Sequence, residues 1–79
     1  DFSKVEEFRK AYSDLTDKTN EIAVDLSITE YMDSSALGML LNMQKSLSGS
    51  VKSFKISHCR PSVLKILQIA RFGKKFDIA

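Results

Sequence analysis

The feature that most constrains this chain is a change of apolar period across residues 29–33. Before it, Ile22, Val24, Leu26 and Ile28 alternate with Ala23, Asp25 and Ser27, the period of two expected of a strand with one apolar face. After it, Leu37, Leu40, Leu41 and Leu47 recur at helical spacing. Asp33, Ser34 and Ser35 stand at the junction, and these residue types favour helix caps. The central unit therefore reads as strand, short loop and helix, the helix running from about residue 34 to 47. Two hydroxyls lie at its start. Orphan backbone N–H groups and the positive end of the helix dipole point there, so the fold tolerates added negative charge, and a phosphate on Ser34 suits the position.

The flanking segments extend the same alternation of element types. Ser3-Lys4-Val5-Glu6 has the form of a capping box, and Val5, Phe8, Tyr12 and Leu15 predict an amphipathic helix over about residues 3–15. The central helix is expected to stop at Ser48-Gly49-Ser50, with the glycine in left-handed cap geometry. Its core stripe is Leu37, Leu40, Leu41 and Leu47. Ala36, Met39 and Met43 form a neighbouring stripe that either finishes the core or stays partly exposed to meet a partner. A second strand is expected over about residues 51–57, with Phe54, Ile56 and His58 on one side. Pro61 then opens a third helix through Val63, Leu64, Ile66, Leu67 and Ala70, ending near Phe72-Gly73, and Phe76-Asp77-Ile78 predicts a short final strand.

Helix, strand, helix, strand, helix, strand calls for an α/β fold with right-handed crossovers and a largely parallel sheet. A parallel strand covered on both faces reads as a continuous apolar run, whereas Asp25 and Lys55 interrupt these two. The helices are therefore expected mainly on one face. Three strands with two edges make a poor free-standing sheet, so a further strand or hairpin upstream is expected to complete it. The first residue is Asp1 rather than methionine, which fits a fragment or processed form.

Seventy-nine residues allow one domain. A formal charge of +2, with lysines scattered apart from Lys74-Lys75, lacks the basic footprint of a nucleic-acid binder. A single cysteine, Cys59, excludes an internal disulfide framework and fits a reducing compartment, and no apolar run approaches membrane-spanning length. A cytoplasmic location without membrane partners is the expectation. Chemistry is sparse. His58 and Asp33 could in principle serve Ser34 as base and orienter, but no Gly-x-Ser-x-Gly elbow accompanies them, and Asp33 is the serine's own neighbour. His58 and Cys59 are adjacent and would point to opposite faces of a strand, no other histidine or cysteine exists, and Gly38, Gly49 and Gly73 are too far apart for a phosphate loop. The expectation is a non-enzymatic protein without cofactor or metal, acting as a modified switch or a binding surface.

One stretch adds a resemblance. Val24-Asp25-Leu26-Ser27 followed by Tyr31-Met32-Asp33-Ser34-Ser35-Ala36-Leu37-Gly38 resembles the signature Phe/Tyr-Met-Asp-Ser-Ser-Gly-Leu-Gly of the anti-sigma-factor antagonists of the STAS domain family. Pro61-Ser62-Val63-Leu64-Lys65-Ile66-Leu67 and Phe76-Asp77-Ile78 are similar to the later half of that family, so the likeness spans the chain. It implies a single STAS domain whose N-terminal strand pair is missing before Asp1. It also implies a switch in which an anti-sigma factor with serine kinase activity phosphorylates Ser34, with Ser35 as the alternative acceptor, and a serine phosphatase reverses the reaction. The unmodified form would bind the anti-sigma factor and release the sigma factor, using Asp33, Ser34, Ser35, Ala36, Met39 and Met43 as the docking face. Ala36 departs from the signature glycine, a change that favours the helix by up to about 1 kcal/mol. The rival within the family is a non-switching scaffold or subunit of a lipid-transport or signalling complex.

Overall fold

A computed structural model describes residues 20–79 of the protein. The helix expected over residues 3–15 lies outside them. Three parallel strands form one sheet in the order β1 (Glu21–Asp25), β2 (Ser53–Ser57), β3 (Asp77–Ile78). Helix α1 (Ser34–Leu47) joins β1 to β2; α2 (Pro61–Ile69) and a short 3₁₀ turn (Phe72–Lys74) join β2 to β3. The register sets Ile22 beside Phe54, Val24 beside Ile56, and Ile56 beside Ile78. Side chains paired across a parallel ladder share a face, so these residues make one apolar surface. Ala23, Lys55 and Asp77 share the other face.

The apolar surface and both helices contribute to one core. Ile56, Val63 and Leu67 are fully buried, Phe72 and Phe76 are 2% exposed, and the Phe72 and Phe76 rings stack with centroids 5.4 Å apart. Phe54 meets the Phe76 ring edge-on at 6.0 Å, so the short β3 is held by aromatic packing more than by its two-residue ladder. On the opposite face Glu21, Ala23, Asp25, Ser53 and Asp77 are exposed. Among the described residues, helices on one face of a parallel sheet are thus the observed arrangement.

Four local expectations need correction. The first strand does not reach Ile28. The Asp25 carboxylate accepts a hydrogen bond from the Ser27 backbone N–H at 2.8 Å, and the Thr29 N–H donates to the Leu26 carbonyl at 3.0 Å. That turn ends the pleat after Leu26, which is buried, and leaves Ile28 87% exposed. The core stripe of α1 also differs from the expected one, at Leu41. Leu40 and Met43 are its buried residues and Ala36, Leu37 and Leu47 pack against the core, whereas Leu41 is 38% exposed. Leu37, Leu40 and Leu47 of the expected stripe thus meet the core, and Met43, at 4-3-4 spacing with Ala36, Leu40 and Leu47, takes the place expected of Leu41.

Third, Gly49 does not supply left-handed geometry. No glycine has positive φ, and α1 closes on Ser48 at φ −61°, with the Ser50 and Val51 N–H groups bonding the Leu47 carbonyl. Fourth, α2 stops at Ile69, before Phe72-Gly73. Its left-handed residue is Arg71, at φ 61°, which turns the chain so that Phe72 enters the core.

Candidate functional site

The carboxyl edge of the sheet is where the loops after β1 and β2 lead into helices, and it gathers most of the polar chemistry. Helix α1 begins there. Asp33, with extended backbone, is the N-cap: its Oδ1 accepts from the Ala36 N–H at 2.9 Å, and its carbonyl accepts the first helical bond, from Leu37, at 3.1 Å. Ser34 and Ser35 are therefore the first two helical residues and neither is the cap. Both are exposed, and neither hydroxyl has a hydrogen-bond partner among the described residues. Met32, just upstream, is 7% exposed and anchors the loop from below. Tyr31 is 73% exposed.

Arg60 ties this loop to the one after β2, a role that the sequence reading missed. Its Nε donates to the Ser27 carbonyl at 3.0 Å, and its Nη1 meets Glu30 Oε1 at 3.3 Å. The guanidinium fork thus joins the turn after β1 to the start of α2. The one signal available was an arginine immediately before Pro61, where a helix cap is expected and a guanidinium, having no acceptor, cannot cap.

His58 does not continue β2. It adopts left-handed backbone at φ 60°, so the expected grouping with Phe54 and Ile56 fails, and its side chain is largely exposed. The ring Nδ1 lies 3.6 Å from Asp25 Oδ2 and 3.2 Å from the Ser57 hydroxyl. The carboxylate beside His58 is therefore Asp25, while that of Asp33 is occupied in capping α1. This is not the base-and-orienter geometry weighed for Ser34. Asp25 has its pKa lowered by the backbone hydrogen bond from Ser27, then by that residue's side chain, with a smaller contribution from His58. Cys59 is half-buried, and burial raises its thiol pKa, opposite to what an activated nucleophile needs. Among the described residues no group of three or more His, Cys, Asp and Glu could hold a metal, and no helix is long and apolar enough to cross a membrane.

Of the docking stripe, Ala36 and Met39 are half-buried and Met43 is 3% exposed. Met43 finishes the core and cannot present a surface in this fold. The edge therefore combines two exposed hydroxyls at a helix start, a carboxylate cap and exposed Ile28 and Tyr31, all held on a framework braced by Arg60.

Comparison with known proteins accounts for this architecture. The chain is 38% identical over all its 79 residues to "STAS-domain containing protein PA14_20770" of Pseudomonas aeruginosa (strain UCBPP-PA14), covering 78% of that protein. No solved structure matches it. The family description "Mlab, STAS domain" matches residues 1–78, and the chain belongs to the STAS domain family.

Proposed function

We propose that the protein is an anti-sigma-factor antagonist whose unphosphorylated form binds a kinase-type anti-sigma factor, and whose phosphorylation on Ser34 releases it. The observation that carries this reading is the division of labour at the start of α1. Asp33 makes the cap, so the Ser34 hydroxyl is exposed and has no structural duty to the helix. Family membership supports it, because anti-sigma-factor antagonists are STAS domains. Ser35 shares the exposure and is the alternative acceptor.

A phosphate on Ser34 adds about −1.5 to −2 charge at neutral pH. The helix dipole favours it by roughly 0.3–1 kcal/mol, so the domain stays folded. Across an interface the same group must shed water or face the partner's charges. About 2.8 kcal/mol is enough for a 100-fold loss of affinity. Asp33, Ser35, Ala36 and Met39 complete the proposed docking face, and a serine phosphatase resets the switch.

The test uses a kinase-type anti-sigma factor from the same genome. Phosphosite mapping after incubation is expected to find Ser34. Ser34→Ala should bind that factor as the unmodified protein does, and Ser34→Asp and the phosphoform should bind at least about 100-fold more weakly. If Ser34→Ala and Ser34→Asp bind a partner alike and no phosphoform arises, the domain is instead a non-switching scaffold.

A further inference from the structure

The opposite edge of the sheet carries a second surface. An open groove of about 760 Å³ runs between the C-terminal end of α1 and the segment leading into β3. Lys52, Lys74 and Lys75 line it, with Gln44, Ser48 and Ser53 as neutral hydrogen-bonding groups. Asp77 is the one carboxylate among its described lining residues, and Glu21 lies close by, its Oε2 accepting from the Ser53 hydroxyl at 3.3 Å. None of the three lysines makes an ion pair with a described residue. Lys52 is far from Lys74 and Lys75 in sequence, and the fold brings it to that pair because β2 and β3 are parallel neighbours entered from the same side.

We infer that this groove is a docking site for an acidic polypeptide segment of a partner protein, separate from the Ser34 edge. Three cations against one carboxylate among the described lining residues favour an anionic occupant. Gln44, Ser48 and Ser53 add donors and acceptors suited to a peptide backbone. Single-stranded nucleic acid is the poorer fit, because it needs exposed aromatic rings for bases to stack on, and Phe54 and Phe76 in this groove are 7% and 2% exposed. Ser34 follows the carboxyl end of β1, whereas Lys52 and Lys75 precede the amino ends of β2 and β3, so the two surfaces lie at opposite edges of a parallel sheet. A partner gripped at the groove stays tethered whatever the state of Ser34.

The test is fluorescence anisotropy of the full chain with a labelled hexaglutamate peptide. A single-stranded hexathymidylate and vesicles of mixed anionic and neutral phospholipid are the competing probes. The peptide is expected to bind, and to weaken as salt rises from about 50 to 300 mM. The paired substitution Lys52→Glu with Lys75→Glu should weaken binding by at least about tenfold. The same pair changed to Gln should weaken it less, with melting curves showing both forms folded. Lys65→Glu, a charge change on exposed α2 outside the groove, and Ser34→Asp should each stay within about twofold. Absence of peptide binding, equal loss in Lys65→Glu or Ser34→Asp, or tighter binding of the oligonucleotide or vesicles would overturn the assignment.

Discussion

At Asp33 and Ser34 two neighbouring polar residues have separate roles. Because the Asp33 carboxylate holds the Ala36 N–H, Asp33→Ala should cost about 0.5–2 kcal/mol in chemical denaturation. Ser34→Ala removes an exposed hydroxyl that caps nothing and should stay within about 0.5 kcal/mol. Equal losses would mean that both residues share the cap. Asp25 gives a pH signature. Its folded pKa is depressed below the ordinary 3.8, chiefly by the Ser27 backbone N–H. The unfolded chain therefore binds this proton more readily than the folded one. The stabilisation is fully present above pH 3.8 and is lost as pH falls below it through the folded value. Asp25→Asn can still accept from Ser27 but has no charge to lose, so its unfolding midpoint should fall less steeply than wild type in that acid range.

At the scale of elements, the burial of Met43 in place of Leu41 on α1 is the testable point. Leu40 and Met43 are 4% and 3% exposed, and truncating either to Ala should cost about 2–5 kcal/mol. Leu41→Ala, at a site 38% exposed, should cost clearly less than either. The reverse order would restore Leu41 to the core stripe read from spacing alone. The turn after α2 has a different vulnerability. Arg71 holds left-handed backbone that disfavours any side chain, by about 1–2 kcal/mol for a typical residue, and β-branched ones most. Arg71→Gly should therefore be near neutral or stabilising and Arg71→Val destabilising, the two compared by thermal unfolding. The sequence suggested Gly73 for this position because glycine is the residue that adopts it without strain. The turn instead falls where Phe72 must swing inward, and burial of that ring outweighs the backbone preference.

At the scale of the whole molecule, the parallel sheet sorts its connections onto two edges. One carries the Ser34 helix start, the exposed Ile28 and Tyr31, and the Arg60 brace; the other carries the lysine groove. Phe54 and Phe76 of the aromatic core line the lysine groove, whereas the Ser34 helix start lies at the other edge. Ser34→Asp is accordingly expected to leave the thermal midpoint within a few degrees of wild type while changing partner affinity, a shift of about 4–8 °C being what 1 kcal/mol produces in a domain of this size. Loss of partner binding accompanied by a large fall in that midpoint would indicate unfolding rather than switching.

The sequence by itself determined the order of elements from residue 20 onward, the parallel sheet with helices on one face, and the helix start at Asp33-Ser34-Ser35. Each of these follows from local periodicity, cap chemistry or the length of a connection. Tertiary structure decided the rest. Which arc of α1 faces inward depends on the sheet beneath it, so Met43 is buried and Leu41 is not. Where β1 ends depends on a turn closed by Asp25, which leaves Ile28 outside. The Arg60 brace and the gathering of Lys52 with Lys74 and Lys75 join residues from different connections. No period or spacing along one segment encodes such neighbours, because they exist only once parallel strands align the ends of those connections.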